Sequence, residues 1–314
     1  MARSEQNIPS TDAPIKGMIL AISGMFLLPV MDAVAKYLGE AGSLSPGSIA
    51  FARFAIQLIL SCSFLLLFGG GVAALKPRRF WMNFLRGMLL ALASLLFFVA
   101  IKYMPLADAI SVFFVEALIL TVLSMLILRE KVGWRRITAI VAGFIGALIV
   151  VQPSFAVLGP VSLLPLGTAL LFATYLLLNR VAGQSDSAWT MQFIAGLGGV
   201  FILGIAIAFG ELIDINDMQF TAPNTTIDWG LLTLMGVIGV IGHFMVVRAF
   251  QMAPASLLAP FQYVEIVAAV LLGLLLFDDF PTPSKWLGIF IIVGSGLYVF
   301  WREQQKGLSN ANLS

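Results

Sequence analysis

The chain has 314 residues, 60% hydrophobic and 11% charged, with a formal net charge of +2 and a mean hydropathy of +1.00. A soluble domain carries about 25% charged residues, so the solvent for most of this surface is lipid rather than water. The basic residues lie in short loops, which leaves no basic face or aromatic platform for nucleic acid, and the lone Cys62 excludes an internal disulfide.

The weakly polar stretch 1–14 reads as a cytoplasmic N-terminal tail. The apolar run that follows has no small-residue cleavage site and reads as an uncleaved first helix rather than a signal peptide. Apolar stretches long enough to span a bilayer as helices lie at 15–36, 47–69, 82–101, 105–128, 134–151, 160–179, 188–209, 229–250, 254–277 and 284–301. They are continuously apolar for about twice the ten residues of a barrel strand, which rules out a β-barrel reading. Pro105, Pro160 and Pro254 stand near helix starts, where a missing N–H costs nothing, whereas Pro29 and Pro260 fall inside spans and are expected to bend them. The predicted fold is an all-α polytopic membrane protein of ten transmembrane helices, with a tail at 302–314.

The second half repeats the first. An offset of 149 positions carries Pro105 onto Pro254, Ala100 onto Ala249, Gly87 onto Gly236, Glu116 onto Glu265 and Glu130 onto Asp279. Residues 15–151 and 160–301 are therefore predicted to be two copies of one five-helix unit. An odd number of crossings per unit makes the second copy enter from the opposite side, so the repeats are inverted.

Charge supports this topology. With both ends in the cytoplasm, Arg3, Lys16, Lys76, Arg78, Arg79, Arg129, Lys131, Arg135, Arg136, Arg180, Arg248, Arg302 and Lys306 fall inside, against Lys36, Lys102 and Lys285 outside. The positive-inside rule requires such a bias. The outer segment 210–228 has Glu211, Asp214, Asp217 and Asp228 and no Lys or Arg.

Ionisable groups inside a bilayer are costly unless they face a cavity or a partner, so the few present are the candidate site. Glu116 and Glu265 occupy matching positions about eleven residues into their spans, roughly 16 Å along each helix. They are candidates for substrate or proton binding, with helix packing as the competing role. Arg53 is the candidate for an anionic substrate group or for neutralising those glutamates, and Gln262 and Tyr263 join the binding candidates beside Pro260. Asp32 and Lys36 have the i,i+4 spacing of an ion pair and, with Arg86 and Asp108, are candidates for gating or ion pairing. Arg86 has the alternative of snorkelling, and Asp108 that of favouring a helix dipole. His243 reads as a packing residue more readily than as a proton relay. Phe97, Phe98, Phe113, Phe114, Tyr175, Phe261 and Tyr263 are aromatic enough to line a pocket for a planar solute, although a core role is the default for any one of them.

An enzyme reading finds no support: Cys62 has no histidine at a suggestive spacing, one histidine cannot supply a metal cluster, and no glycine-rich phosphate loop is present. No cofactor or metal is expected. The partners implied are the lipid bilayer and a small-molecule substrate, with proton coupling and a homodimer both compatible.

Met31-Asp32-Ala33-Val34-Ala35-Lys36-Tyr37, Phe51-Ala52-Arg53-Phe54, the Tyr103-Met104-Pro105-Leu106-Ala107 turn, and Glu116 followed by Leu128-Arg129-Glu130 together resemble the EamA family of the drug/metabolite transporter superfamily. The second half departs from this pattern, with Phe277-Asp278-Asp279 in place of Leu128-Arg129-Glu130. The resemblance implies a bacterial inner-membrane carrier whose central cavity is shared by the two halves. It also implies a solute among amino acids and their metabolites, nucleotide-like or sugar-linked compounds, S-adenosylmethionine, riboflavin or toxic compounds. The expectation is export of amino-acid-like or other small organic metabolites by alternating access. The alternatives are uptake of a nutrient such as S-adenosylmethionine or riboflavin, the former echoed by the stretch from Asp32 to Tyr37, and a channel or non-transporting scaffold.

Overall fold

The computed structural model describes residues 12–40, 44–69, 71–127, 129, 134–182, 186–252, 258, 261 and 264–311. Among them run helices α1 (Asp12–Glu40), α2 (Pro46–Leu67), α3 (Phe80–Tyr103), α4 (Leu106–Phe113), α5 (Glu116–Ile127), α6 (Trp134–Leu158), α7 (Leu164–Ala182), α8 (Ala188–Leu212), α9 (Thr226–Met252), α10 (Val264–Phe277) and α11 (Pro283–Ala311). Gly71–Leu75 and Gly159–Leu163 form 3-10 turns. In lipid every backbone polar group must bond within its own segment, which is why long apolar stretches become helices. Among the described residues, seven segments are long and apolar enough to cross a membrane, α4 and α5 together making one of 22 residues, and Ile137–Val151 and Val264–Phe277 are shorter apolar helices. The chain is an all-α polytopic membrane protein.

Local chemistry sets several boundaries. Ser45 caps α2 by accepting from Ser48 N–H at 3.0 Å, ahead of Pro46. Ser187 caps α8 by accepting from Thr190 N–H at 3.1 Å, each cap satisfying a donor that a helix start leaves free. The span expected at 105–128 is interrupted at Phe114 and Val115, where Val115 N–H bonds Val112 O at 3.1 Å in a tight turn. Glu116 thereby enters the first turn of a new helix, where a carboxylate is favoured by the dipole. At the end of α10, Asp278 takes a left-handed φ of 53° and Asp279 N–H closes onto Gly273 O at 2.9 Å. Arg129 has a φ of 56°. α6 runs past the expected end at 151 to Leu158, and α11 stays helical beyond 301 to Ala311. Pro260 lies outside the described residues.

Helices from the two ends of the chain interleave: α1 packs on α9 and α10, α3 on α7 and α8, α2 on α8 and α9, α5 on α7, and α6 on α11. Small residues allow the closest crossings, as expected where lipid offers no hydrophobic drive to association. A Cβ at Gly146 would stand 2.9 Å from Gly288 O, and one at Gly288 would stand 2.7 Å from Gly146 O. At the α3–α8 crossing a Cβ on Gly87 would run into the Ala195 backbone, and one on Gly198 into the Phe84 carbonyl. Since backbone cannot yield as a flexible side chain can, Gly87→Leu is expected to cost about 1–3 kcal/mol or more by overpacking. It should lower the melting temperature of the detergent-solubilised protein, whereas Gly294→Leu, where a Cβ meets open space, should leave it unchanged.

Candidate functional site

Arg53 is buried at the bundle interior, 3% exposed, and is held by both ends of the chain. Its guanidinium donates to Ser94 Oγ on α3, and Nη2 lies 3.2 Å from His243 Nε2 on α9. Its plane sits over the Phe54 ring, 4.8 Å from the centroid. Ser94 in turn donates to Leu90 O at 2.8 Å, and His243 Nδ1 lies 3.0 Å from Gly239 O.

One carboxylate neighbours this cation, and two more adjoin it in turn. Asp32 on α1 lies within electrostatic range of Arg53, and Glu265 on α10 within range of both Asp32 and Glu116. Glu116 is 3% exposed, and its Oε2 has no hydrogen-bond partner among the described residues. Glu116 and Glu265 thus approach one region, as their matching positions predict. The expected glutamate-neutralising role of Arg53 is replaced by Asp32 as its carboxylate neighbour. Gln262 and Tyr263 lie outside the described residues.

An aromatic wall adjoins the cluster. Phe97, Phe113, Phe172 and Tyr175 contact in sequence, with centroid separations of 6.0, 5.3 and 5.4 Å. Tyr175 lies within electrostatic range of Arg53, and Arg86 sits over its ring at 5.5 Å. Arg86 does not snorkel: it is buried and donates to Asn83 Oδ1 at 2.7 Å. Asn83 donates to Asp186 at 2.8 Å, and Asp186 also accepts from Arg78 N–H at 2.8 Å.

The opposite end of the bundle, where α1 finishes and α2 begins, is tied by ion pairs. The available Asp32–Lys36 pairing is not the one formed. Lys36 turns the other way along α1 to Glu40 at 2.5 Å and reaches Asp279 at 3.7 Å. It also donates to Ile101 O and Met104 O at 3.1 Å each. Asp32 instead faces the bundle interior, where Arg53 attracts it. Asp108 does more than favour the dipole of α4, because it pairs with Lys285 of α11. Lys102 pairs with Asp217 at 2.6 Å, and Tyr103 OH donates to the same carboxylate at 3.0 Å. Ser45, Gly47 and Ser48 fasten the start of α2 to Asp217, Gln219 and Thr221 through four further hydrogen bonds. Sequence reasoning missed Ser94, Asn83, Asp186, Phe172 and Gly239. Small polar residues, glycines and phenylalanines are too common in apolar helices to stand out, and only their contacts across the bundle select them.

A membrane-embedded bundle with a buried ionic centre, and with ion pairs across one end, defines a membrane transporter rather than an enzyme. The chain belongs to the EamA-like transporter family, which matches residues 15–152 and 160–301, and is a multi-pass protein of the bacterial inner membrane carrying small organic solutes by secondary transport. It is similar to a riboflavin transporter of Vibrio cholerae, 29% identical over 302 residues that cover 96% of this chain and 98% of that protein. It is also similar to an S-adenosylmethionine uptake transporter of Rickettsia prowazekii, 25% identical over 292 residues covering 93% and 95%. A pseudopaline exporter of Pseudomonas aeruginosa is 29% identical over 284 residues covering 88% and 93%. A crystal structure of a protein 15% identical in sequence superimposes with a TM-score of 0.61, covering 89% of this chain and 95% of that one, a likeness of fold alone.

Proposed function

We propose that the chain is an alternating-access uptake carrier for a nutrient built on a nitrogen heterocycle, of the riboflavin or S-adenosylmethionine class. The carrying observation is the buried Arg53 guanidinium, bonded to Ser94 and set against His243, beside an aromatic wall: a cation with planar donors next to aromatic rings suits a planar polar solute. Whole-length similarity to the riboflavin and S-adenosylmethionine carriers favours this reading over export of amino-acid-like metabolites, for which the pseudopaline exporter speaks.

Ten spans in two inverted repeats underlie the mechanism. The left-handed residues Arg129 and Asp278 are 149 positions apart, the offset that also relates Glu116 to Glu265. Exchanging the halves turns the α1–α9 contact into α7–α3, α3–α8 into α9–α2, and α1–α10 into α7–α5, while α2–α8 and α6–α11 map onto themselves. Each of these pairings has its mate, which supports an axis in the membrane plane and rocking of one half against the other. With both termini cytoplasmic, the end bearing Lys36, Asp108, Lys102 and their partners faces outward and is closed.

Asp32 has Arg53 as its neighbouring cation, whereas Glu265 has the carboxylates Asp32 and Glu116 as its neighbours. Such an acid excess inside hydrocarbon has to be balanced, and protons or a cationic group on the solute would do so. Glu116→Gln combined with Glu265→Gln is therefore expected to abolish proton-driven accumulation while sparing solute exchange across vesicles held at equal pH. Accumulation at the wild-type level would remove proton coupling from the account.

Proteoliposomes offered radiolabelled riboflavin, S-adenosylmethionine and a set of amino acids separate the readings. Saturable inward transport of one of the first two is the expected result. Saturable movement of amino acids alone would favour the metabolite reading, and unsaturable flux would favour a channel.

A further inference from the structure

Helices α6 and α11 cross antiparallel in a register that their small residues reveal. A Cβ at Gly143 would stand 2.7 Å from Ser295 Oγ, one at Gly146 3.0 Å from Ile292 Cγ1, and one at Gly288 3.1 Å from Val150 N. Position 143 thus lies beside 295, 146 beside 292 and 150 beside 288, each step along α6 matching one step back along α11. A groove of about 450 Å³ runs along this pair on the outside of the bundle, with exposed Phe290 at its rim. Ala139, Ala142 and Ser295 are small enough to leave it open, and a Cβ at Gly294 would meet nothing within 4 Å.

The register places two cations at the mouth of this groove. Thr138, Ala139 and Ala142 line it and follow position 135 by three, four and seven residues. Tyr298, Ser295 and Gly294 line it and precede position 302 by four, seven and eight. These are the spacings of one helix face, and the antiparallel match sets 135 opposite 303, one step from 302. Arginine occupies both positions, with Arg136 and Lys306 close in sequence and Glu303 as the acid among them. Trp134 and Trp301 are exposed beside them, the latter against Tyr298 with ring centroids 6.3 Å apart. Aromatic side chains of this kind mark headgroup depth. Lys285, near the other end of α11, pairs with Asp108, so the arginines stand at the end of the bundle away from the ion-pair ties. A second groove, between α1 and α10 at the tied end, is lined instead by Glu40, Asp278 and Asp279.

We propose that the α6–α11 groove holds an acyl chain of an anionic phospholipid, with the headgroup phosphate between Arg135 and Arg302. Basic pockets between membrane helices on the cytoplasmic side take such headgroups, and this is the cytoplasmic end when both termini lie inside, as proposed above. A second copy of the chain suits the groove less well, because a protein interface takes about 20–30 residues a side and eight line this one.

The test is a titration of full-length protein in neutral detergent with phosphatidylglycerol that carries a photoactivatable group on one acyl chain. After irradiation and digestion, label should concentrate on peptides of α6 and α11. Unlabelled phosphatidylglycerol should displace it, and phosphatidylcholine with the same chains should not. Arg135→Gln combined with Arg302→Gln should raise the concentration for half-maximal labelling about 30-fold, the scale of two basic residues at a membrane surface. Gly294→Leu fills the groove and leaves the headgroup positions untouched, so it should remove the labelling while melting as wild type without added lipid. Equal displacement by phosphatidylcholine, label spread over other helices, or unchanged labelling in these variants would each overturn the proposal. Gly294→Cys combined with Cys62→Ser should stay monomeric on oxidation in membranes; disulfide-linked dimers would overturn the lipid reading in favour of a second copy.

Discussion

Arg53→Ala is expected to lower the kcat/KM for the proposed uptake by about 30-fold or more, since truncating one member of a buried, hydrogen-bonded charge cluster costs roughly 2–5 kcal/mol. The loss has three parts. Ser94 loses the donor that it accepts from, Asp32 loses its neighbouring cation, and the solute loses its planar donors. Arg53→Lys separates charge from geometry, because an ammonium keeps the cation while losing the planar array of donors. Its melting temperature should lie close to wild type while KM stays high. The measurements are initial rates in proteoliposomes across a range of solute concentrations, and thermal unfolding in detergent. A lysine variant with wild-type KM would show that only the charge at this position matters.

Lys285→Ala has the second large effect. Asp108 is 1% exposed and pairs with Lys285 across the bundle, so the variant strands a buried carboxylate. Breaking a buried pair from one side costs about 3–5 kcal/mol, whereas replacing both partners by apolar groups is often close to neutral. Lys285→Ala should therefore melt well below wild type, and Lys285→Met combined with Asp108→Leu should recover most of the difference. Additive losses in a double-mutant cycle would show that the two side chains do not couple. The tie belongs to the closed end, so Lys285→Ala should also speed modification of a cysteine placed at Lys102 by an impermeant reagent.

Much of this architecture is legible in the sequence because the bilayer restricts what a chain can do. Apolar stretches of spanning length, and the rarity of charge within them, marked out the helices and singled out Asp32, Arg53, Glu116 and Glu265, which the structure brings to one region. The break before Glu116 was not legible, since neither proline nor glycine stands at Phe114 or Val115. That turn is set by tertiary packing and by where a buried carboxylate can be tolerated. Lys36 has an acid four residues away on either side, Asp32 and Glu40, and helical spacing alone cannot choose between them. Arg53, on another helix, decides it by attracting Asp32. Asp108 and Lys285 are 177 residues apart, beyond any local pattern.

The alternating access proposed around Arg53 requires the end tied by these ion pairs to open. Lys102 and Asp217 join α3 to the loop between α8 and α9 at that end, and Cys62 is the one native thiol. In a Cys62→Ser background, cysteines at positions 102 and 217 can be bridged by a bifunctional thiol reagent that a reductant cleaves. Bridging should stop uptake in proteoliposomes and cleavage should restore it to the rate of the unbridged protein; bridged protein that carries solute at that full rate would contradict the account.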